Sequence, residues 1–480
     1  MGLKEKAVNS VLWSVVERFS VMGINFVMSI IIARLVEPTD FGAIAMLTIF
    51  LGISNVFIDS GFANALIRKT DRTNIDNSTV FYFNIGVGIG IYLLLFVTAP
   101  LIASFYKMPI LKDILRVIAL VILFNSLSIV QQAILTANLN FKSQAKISVI
   151  SVLLSGTIGV VTAYWGYGVW ALAIQMVIAA FIRMILLWIY VGWLPIKAFS
   201  IQSFRSLFGY GSKLLIANLV VTINSSISSL ILGKKFAASQ LGYYNRGEQF
   251  VNFPLNSITA VFQKVTFPVF NLKKDDVPLL REYYLKTVCV TAILVTPIMA
   301  ILFVLSRDVI ILFLTEKWLP STIMIQILIF SFGWSPIFSI NMNILSVLGY
   351  SKYILNIELV KIVLRITAIL IAIPFGIEAV CYALVIIAFI NTFFYTHYTN
   401  KVIQVGWIKQ MLHIIPYIVI SAFVGSGVHF VIYTFDSILW RIIIGVILFL
   451  VCYMLILCFF DRDNWKFMLS LLSRKKSGIS

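Results

Sequence analysis

The sequence predicts an all-α polytopic membrane protein of about fourteen transmembrane helices, in two pseudo-symmetric six-helix lobes followed by two further helices. Three observations predict it. The chain of 480 residues is 60% hydrophobic and 12% charged with a mean hydropathy of +1.00, far less charge than a soluble chain of this length exposes. Apolar runs of roughly 20 residues, enough for a helix to cross a bilayer, recur from end to end. Turn motifs also recur at separations of 200 to 210 residues.

Taken in order, hydropathy and turn signals place helices at 11–36, 41–67, 79–104, 111–136, 145–165, 168–192, 206–232, 241–270, 284–305, 321–348, 354–374, 377–400, 408–434 and 438–460. The eighth is the most polar. The first two form the stretch from Trp13 to Lys69. Glu17-Arg18 lie inside its first run, Pro38 and Gly42 punctuate the turn between the runs, and Asp59-Ser60-Gly61 interrupts the second. Ionised side chains at membrane depth are costly and generally functional.

The internal repeat pairs Phe41-Gly42 with Leu241-Gly242, Asn140-Phe141 with Gly349-Tyr350, and Trp165-Gly166 with Phe375-Gly376. Both copies enter in the same orientation, so the repeat is parallel. It divides the chain into lobes 1–198 and 199–402, with two more helices and a basic tail in 403–480.

The net charge of +18, from 37 basic and 19 acidic residues, is read as the positive-inside bias of cytoplasmic loops. One set of loops holds Lys4, Lys6, Arg68, Lys69, Arg72, Lys142, Lys146, Lys197, Arg205, Lys273, Lys274, Arg281, Lys401, Lys409 and Arg474-Lys475-Lys476. The opposite set holds chiefly Lys107, Lys112, Lys234, Lys235, Arg307 and Lys317. Both termini are therefore expected in the cytoplasm. No basic soluble domain is present to bind nucleic acid. The start of the chain reads as too long and too polar on one face for a cleaved signal peptide. Cys289, Cys381, Cys452 and Cys458 sit in apolar runs without CxxC spacing, and His397, His413 and His429 are far apart, so neither a metal nor another cofactor is expected.

The pattern Trp13-Ser14…Arg18-Phe19, Ala33-Arg34-Leu35-x-x-Pro38-x-Asp40-Phe41-Gly42, then Asp59-Ser60-Gly61-Phe62-Ala63-x-Ala65-Leu66-Ile67 resembles Wzx-type polysaccharide transporters. These belong to the superfamily of multidrug, oligosaccharidyl-lipid and polysaccharide exporters, and the likeness is greatest to the WzxC-like, colanic-acid-type branch. Motif similarity covers roughly the first 70 residues, and helix layout extends it. The resemblance implies a flippase of the bacterial inner membrane, not an enzyme. Its cargo would be an undecaprenyl-diphosphate-linked oligosaccharide, its surroundings membrane lipid, and its partners a polysaccharide polymerase and export machinery.

Such a cargo needs a polar, preferably cationic cavity for its head, while its tail can stay in lipid. Four polar stripes meet that need. The first helix has Ser14, Arg18, Asn25 and Ser29, and the seventh Asn218, Thr222, Ser225 and Ser229. The eighth carries Asn245, Gln249, Asn252 and Asn256 with Arg246, Glu248 and Lys264 nearby. The eleventh has Glu358, Lys361 and Arg365, and its mate, the fifth, has Ser148, Ser151 and Ser155. Steps of three, four and seven keep each set on one face, and together they are read as lining one central cavity. Arg18, Asn25, Asn218, Arg246, Lys264, Lys361 and Arg365 are the expected cargo-binding residues, with Glu17, Asp59, Glu248 and Glu358 for ion coupling or charge pairing. The plainer reading is that Ser and Thr bond back to their own helices, that Glu17 neutralises Arg18, and that Glu358 pairs with Lys361. A drug or cation antiporter would call for acidic or aromatic residues where bases prevail. A polymerase or ligase would call for a long external catalytic loop, and none is predicted.

Overall fold

The computed structural model describes residues 3–59, 61–69 and 71–461, apart from the side chains of residues 3–11, Tyr210 and Lys264. Lys4, Lys6 and the tail with Arg474-Lys475-Lys476 thus fall outside the described side chains. All regular secondary structure among the described residues is helical. The chain separates into two compact units, one ending at Gly242 and the other starting at Tyr243.

The first unit contains α1 (Leu3–Leu35), α2 (Pro38–Asp59), α3 (Phe62–Arg68), α4 (Asn74–Tyr106), α5 (Leu111–Ile118), α6 (Leu120–Ser126), α7 (Ile129–Ala137), α8 (Phe141–Tyr164), α9 (Val169–Val191) and α10 (Ile201–Lys235). Helix α11 (Ala238–Leu272) begins at its end and continues into the second unit. There follow α12 (Val277–Leu314), α13 (Ser321–Phe332), α14 (Ser335–Val347), α15 (Ser351–Ala372), α16 (Ile377–Ile403), α17 (Trp407–Leu412), α18 (Ile415–Ile432) and α19 (Ile438–Phe460).

Each expected span has a helical counterpart, and several run longer than hydropathy alone suggests. Eleven stretches are long and apolar enough to cross a membrane, or twelve if the bent run from Leu111 to Ala137 counts as one. The two left over are α11 and α15, of 35 and 22 residues. They are long enough to span, but charges and amides interrupt their apolar runs. The chain is a multi-pass membrane protein; a full count of fourteen crossings stays a proposal.

Local chemistry sets the boundaries. Pro38 opens α2, where a missing N–H costs nothing and φ is preset. The second expected span breaks at Gly61, which sits at φ 67° and lets α3 start afresh. Thr73 and Asp76 form a capping box at the start of α4: Thr73 N donates to Asp76 Oδ2 at 2.8 Å and Asp76 N to Thr73 Oγ1 at 3.3 Å. Asp76 also pairs with Lys69 at 2.8 Å.

The repeat is visible in the element boundaries. Helix α1 ends at Leu35 and α2 begins at Pro38; α10 ends at Lys235 and α11 begins at Ala238, 200 residues on. The separation grows within α12, which has 38 residues against 33 in α4, so α8 and α15 start 210 apart, at Phe141 and Ser351. At the first of these turns the copies touch within the first unit. A Cβ on Gly42 would lie 1.7 Å from the Ala238 carbonyl oxygen, and one on Gly242 would lie 2.1 Å from that of Pro38. Only glycine admits that backbone-to-backbone crossing. Further along, Gly52 faces Thr222 and Gly61 faces Gly211, so α10 runs antiparallel along α2.

In the second unit, α18 and α19 pack on α12 around Tyr417, Phe449 and Tyr453. Tyr453 donates to the Ile293 carbonyl at 3.1 Å, and Arg441 lies 3.6 Å from the buried Asp308.

Candidate functional site

In the first unit the charged pair on α1 is split. Consecutive residues of a helix point about 100° apart, so Glu17 does not turn to Arg18. Its Oε1 instead accepts from Ser148 Oγ of α8 at 2.6 Å, and it lies in electrostatic reach of Arg183 on α9. Arg183 also donates to Gln132 Oε1 at 3.3 Å. Arg18 and Asn25 are exposed. The α10 stripe serves packing in part: Thr222 is pressed toward Gly52 of α2, while Ser225 bonds back to the Thr222 carbonyl at 2.9 Å. Asn218 is half-buried one turn earlier. Asp59, half-buried, closes α2 just before Gly61. Asp40 points its carboxylate at Gly168, the residue that opens α9. There a negative charge meets the positive end of the α9 dipole.

In the second unit the charges are gathered. Lys361 Nζ lies 2.8 Å from Glu358 Oε1 and 2.9 Å from Tyr395 Oη of α16. Tyr395 in turn donates to Glu358 at 3.3 Å. Phe338 of α14 stacks on the Tyr395 ring, centroids 4.6 Å apart and planes 18° off parallel. Arg365, one turn beyond Lys361, is in electrostatic reach of both Lys361 and Glu248. On α11, Arg246 is 3% exposed; it donates to Gln249 Oε1 at 2.5 Å and lies 5.3 Å from the centre of the buried Trp318 ring. Tyr243 meets the same indole edge-on at 6.0 Å. Lys264 is placed on α11 by its backbone alone, its side chain lying outside the described residues.

The structure thus brings Glu358 and Lys361 together, as their spacing predicts, and adds Glu248 and Arg365 to the same electrostatic neighbourhood. Two acids and two bases are thus neighbours in this patch. An anionic group would be received there by exchange for a carboxylate. The partners that sequence reasoning missed, Tyr395, Phe338, Trp318 and Arg183, come from distant helices, as does Ser148, which was named without its link to Glu17; their proximity follows only from packing. The nearest usable signal is the position of Tyr395 on the buried face of α16.

A cavity of about 960 Å³ lies elsewhere in the second unit, between α12, α13, α14, α17 and α18. Its walls include Val295, Met299, Phe303, Phe330, Trp334 and Ile418, with Arg307, Gln326 and His429 among the few polar residues. None of the predicted site residues lines it. Walls of this kind suit hydrocarbon better than a sugar or phosphate. Among the described residues, no group of three or more His, Cys, Asp or Glu is placed to hold a metal ion.

Comparison with known proteins gives a consistent answer. The teichuronic acid biosynthesis protein TuaB of Bacillus subtilis (strain 168) is 26% identical over 318 residues, 66% of either chain. The lipopolysaccharide biosynthesis protein WzxC of Escherichia coli (strain K12) is 24% identical over 324 residues, 66% of this chain and 65% of its own. The match therefore spans about two thirds of the length of these relatives. Among solved structures, the lipid II flippase MurJ in an inward closed conformation superposes with a TM-score of 0.73 at 14% identity, over 94% of this chain and 99% of that one, a likeness of fold. The family model described as "Polysaccharide biosynthesis protein" matches residues 31–323. With more than half of its length so matched, the chain belongs to the polysaccharide biosynthesis protein family.

Proposed function

We propose that this protein flips an undecaprenyl-diphosphate-linked oligosaccharide across the bacterial inner membrane for the assembly of a surface polysaccharide. The observation that carries the reading is the set of charged residues within the long helices α1, α11 and α15, in a family named for polysaccharide biosynthesis. A protein that served only to anchor others would have no use for them. Arg18, Lys361 and Arg365, with Arg246 and Lys264, receive the diphosphate or acidic sugars of the head group, and Asn25 and Asn218 bond sugar hydroxyls. Glu358, already on Lys361, is the group an incoming phosphate displaces. Glu17, Asp59 and Glu248 balance charge or couple an ion. The tail stays in lipid. Alternating access then exposes the head group first to the cytoplasm and then to the outside. Both termini are cytoplasmic in this scheme, and a polysaccharide polymerase and export machinery take the product on.

The test is a deletion strain in which lipid-linked intermediates are extracted and assigned to a membrane face. Full-length intermediate trapped on the cytoplasmic face, with surface polymer absent, is the expected result. Intermediates that cross but stay unpolymerised would instead favour a polymerase, and altered drug tolerance with normal glycans would favour an antiporter. Replacing Arg18 or Arg365 with Ala should lower surface polysaccharide at unchanged protein level; full export in both variants rejects their assignment.

A further inference from the structure

Helix α4 and the run α5–α7 are joined by a short turn and pack antiparallel. Their register is set where Gly88 meets Ser126: a Cβ on Gly88 would lie 2.6 Å from Ser126 Oγ. One turn back along α4 is Asn84, and one turn on from Ser126 is Val130, followed by Gln131. On that register Asn84 falls opposite Val130, the residue before Gln131. Around them Val80, Phe81, Val130 and Ala133 share an apolar cluster. Asn84 and Gln131 are each 0% exposed, and the nitrogen and oxygen of both amides make no hydrogen bond within the protein.

Buried amides in folded proteins almost always have partners. The backbone does not supply them here. At the break after Ser126, where α7 turns 42°, three neighbouring carbonyls already accept side-chain donors. Ser126 Oγ bonds the Leu123 oxygen at 2.8 Å, Ser128 Oγ that of Phe124 at 2.6 Å, and Trp188 Nε1 that of Leu127 at 2.9 Å. Each amide presents a donor and an acceptor at once, which selects the chemistry of what joins them. A monovalent cation would take the oxygens and leave both NH₂ groups unbonded. Water donates and accepts, and so satisfies both kinds of atom.

We propose that Asn84 and Gln131 hold an internal water site that joins α4 to α7 just beyond the break in the helix. The site belongs to the packing of the first unit and is independent of the transport reading.

A double-mutant cycle on the full chain in detergent tests it, with Asn84→Leu, Gln131→Leu and the pair. Each single change strands the remaining amide and should lower the thermal midpoint by about 2–4 °C; the pair should recover most of that loss. Two single changes that each raise the midpoint additively would overturn the proposal. So would a wild-type midpoint that falls when sodium is replaced by choline while the double variant stays unmoved, which marks a cation site. A structure of the wild-type protein at water-resolving quality decides the matter if the variants do not fold. Density bonded to both amides supports the site, and amides bonded directly to each other exclude it.

Discussion

Helices α8 and α15 start 210 residues apart, and three polar positions of one align with three of the other. Ser148, Ser151 and Ser155 stand where Glu358, Lys361 and Arg365 stand in the second copy. On α8, Ser151 bonds back to the Ile147 carbonyl at 2.7 Å and Ser155 to that of Val152 at 3.3 Å. Only Ser148 reaches out, to Glu17. On α15, acid and base are carried by the helix itself and held by Tyr395 from its neighbour. The repeat is thus one of backbone, and the two copies diverge in electrostatics.

The comparison can be broken at several depths. The most severe test lies where the copies agree. Gly42→Leu and Gly242→Leu each drive a side chain into a backbone carbonyl of the other helix start, and each should cost about 4 kcal/mol or more. Little folded protein should then survive detergent extraction; a marked inequality between the two would mean that the crossing is not shared equally. Next is Lys361→Met, which takes the ammonium group away from the half-buried Glu358 and from Tyr395. A loss near 3 kcal/mol is expected, read as a lower thermal midpoint, and adding Glu358→Leu should restore most of it. Smaller again is Ser148→Ala, which removes the hydrogen bond to Glu17 and should cost about 1.5 kcal/mol. Least of all, Ser151→Ala and Ser155→Ala should each change stability by about 0.5 kcal/mol or less, because a back-bonded hydroxyl joins nothing to anything else. If either serine matched Lys361 in effect, the contrast between the copies would fail.

The helices were legible in the sequence because a membrane demands long apolar runs and the chain supplies them. Even the breaks of register at Pro38 and Ala238 could be anticipated from the Phe41-Gly42 and Leu241-Gly242 pair. The interruption at Leu127–Ser128 could not, since Asn125-Ser126-Leu127-Ser128 holds neither proline nor glycine and its serines satisfy the opened backbone themselves. The ion pair of α15 was legible because it is local, three residues apart on one helix. Its third member, Tyr395, lies 34 residues further on, and the partner of Glu17 lies 131 residues away. Periodicity shows which face of a helix is polar but not which helix will meet it. Asn84 and Gln131 were invisible for a related reason: an amide in a mostly apolar run does not show which helix it will face.

The crossing at Gly42 also constrains how the protein is made. Its partner backbone, around Ala238 to Gly242, is synthesised about 200 residues later, which at ribosomal speeds of about 5–20 residues per second is on the order of 10–40 s. The first hairpin must therefore wait in the bilayer, inserted but not clasped, until the start of α11 has left the ribosome. Over that interval the narrow groove beside Gly42 is covered by lipid or by the insertion machinery. A nascent chain stopped after α9 would still lack the backbone that crosses at Gly42.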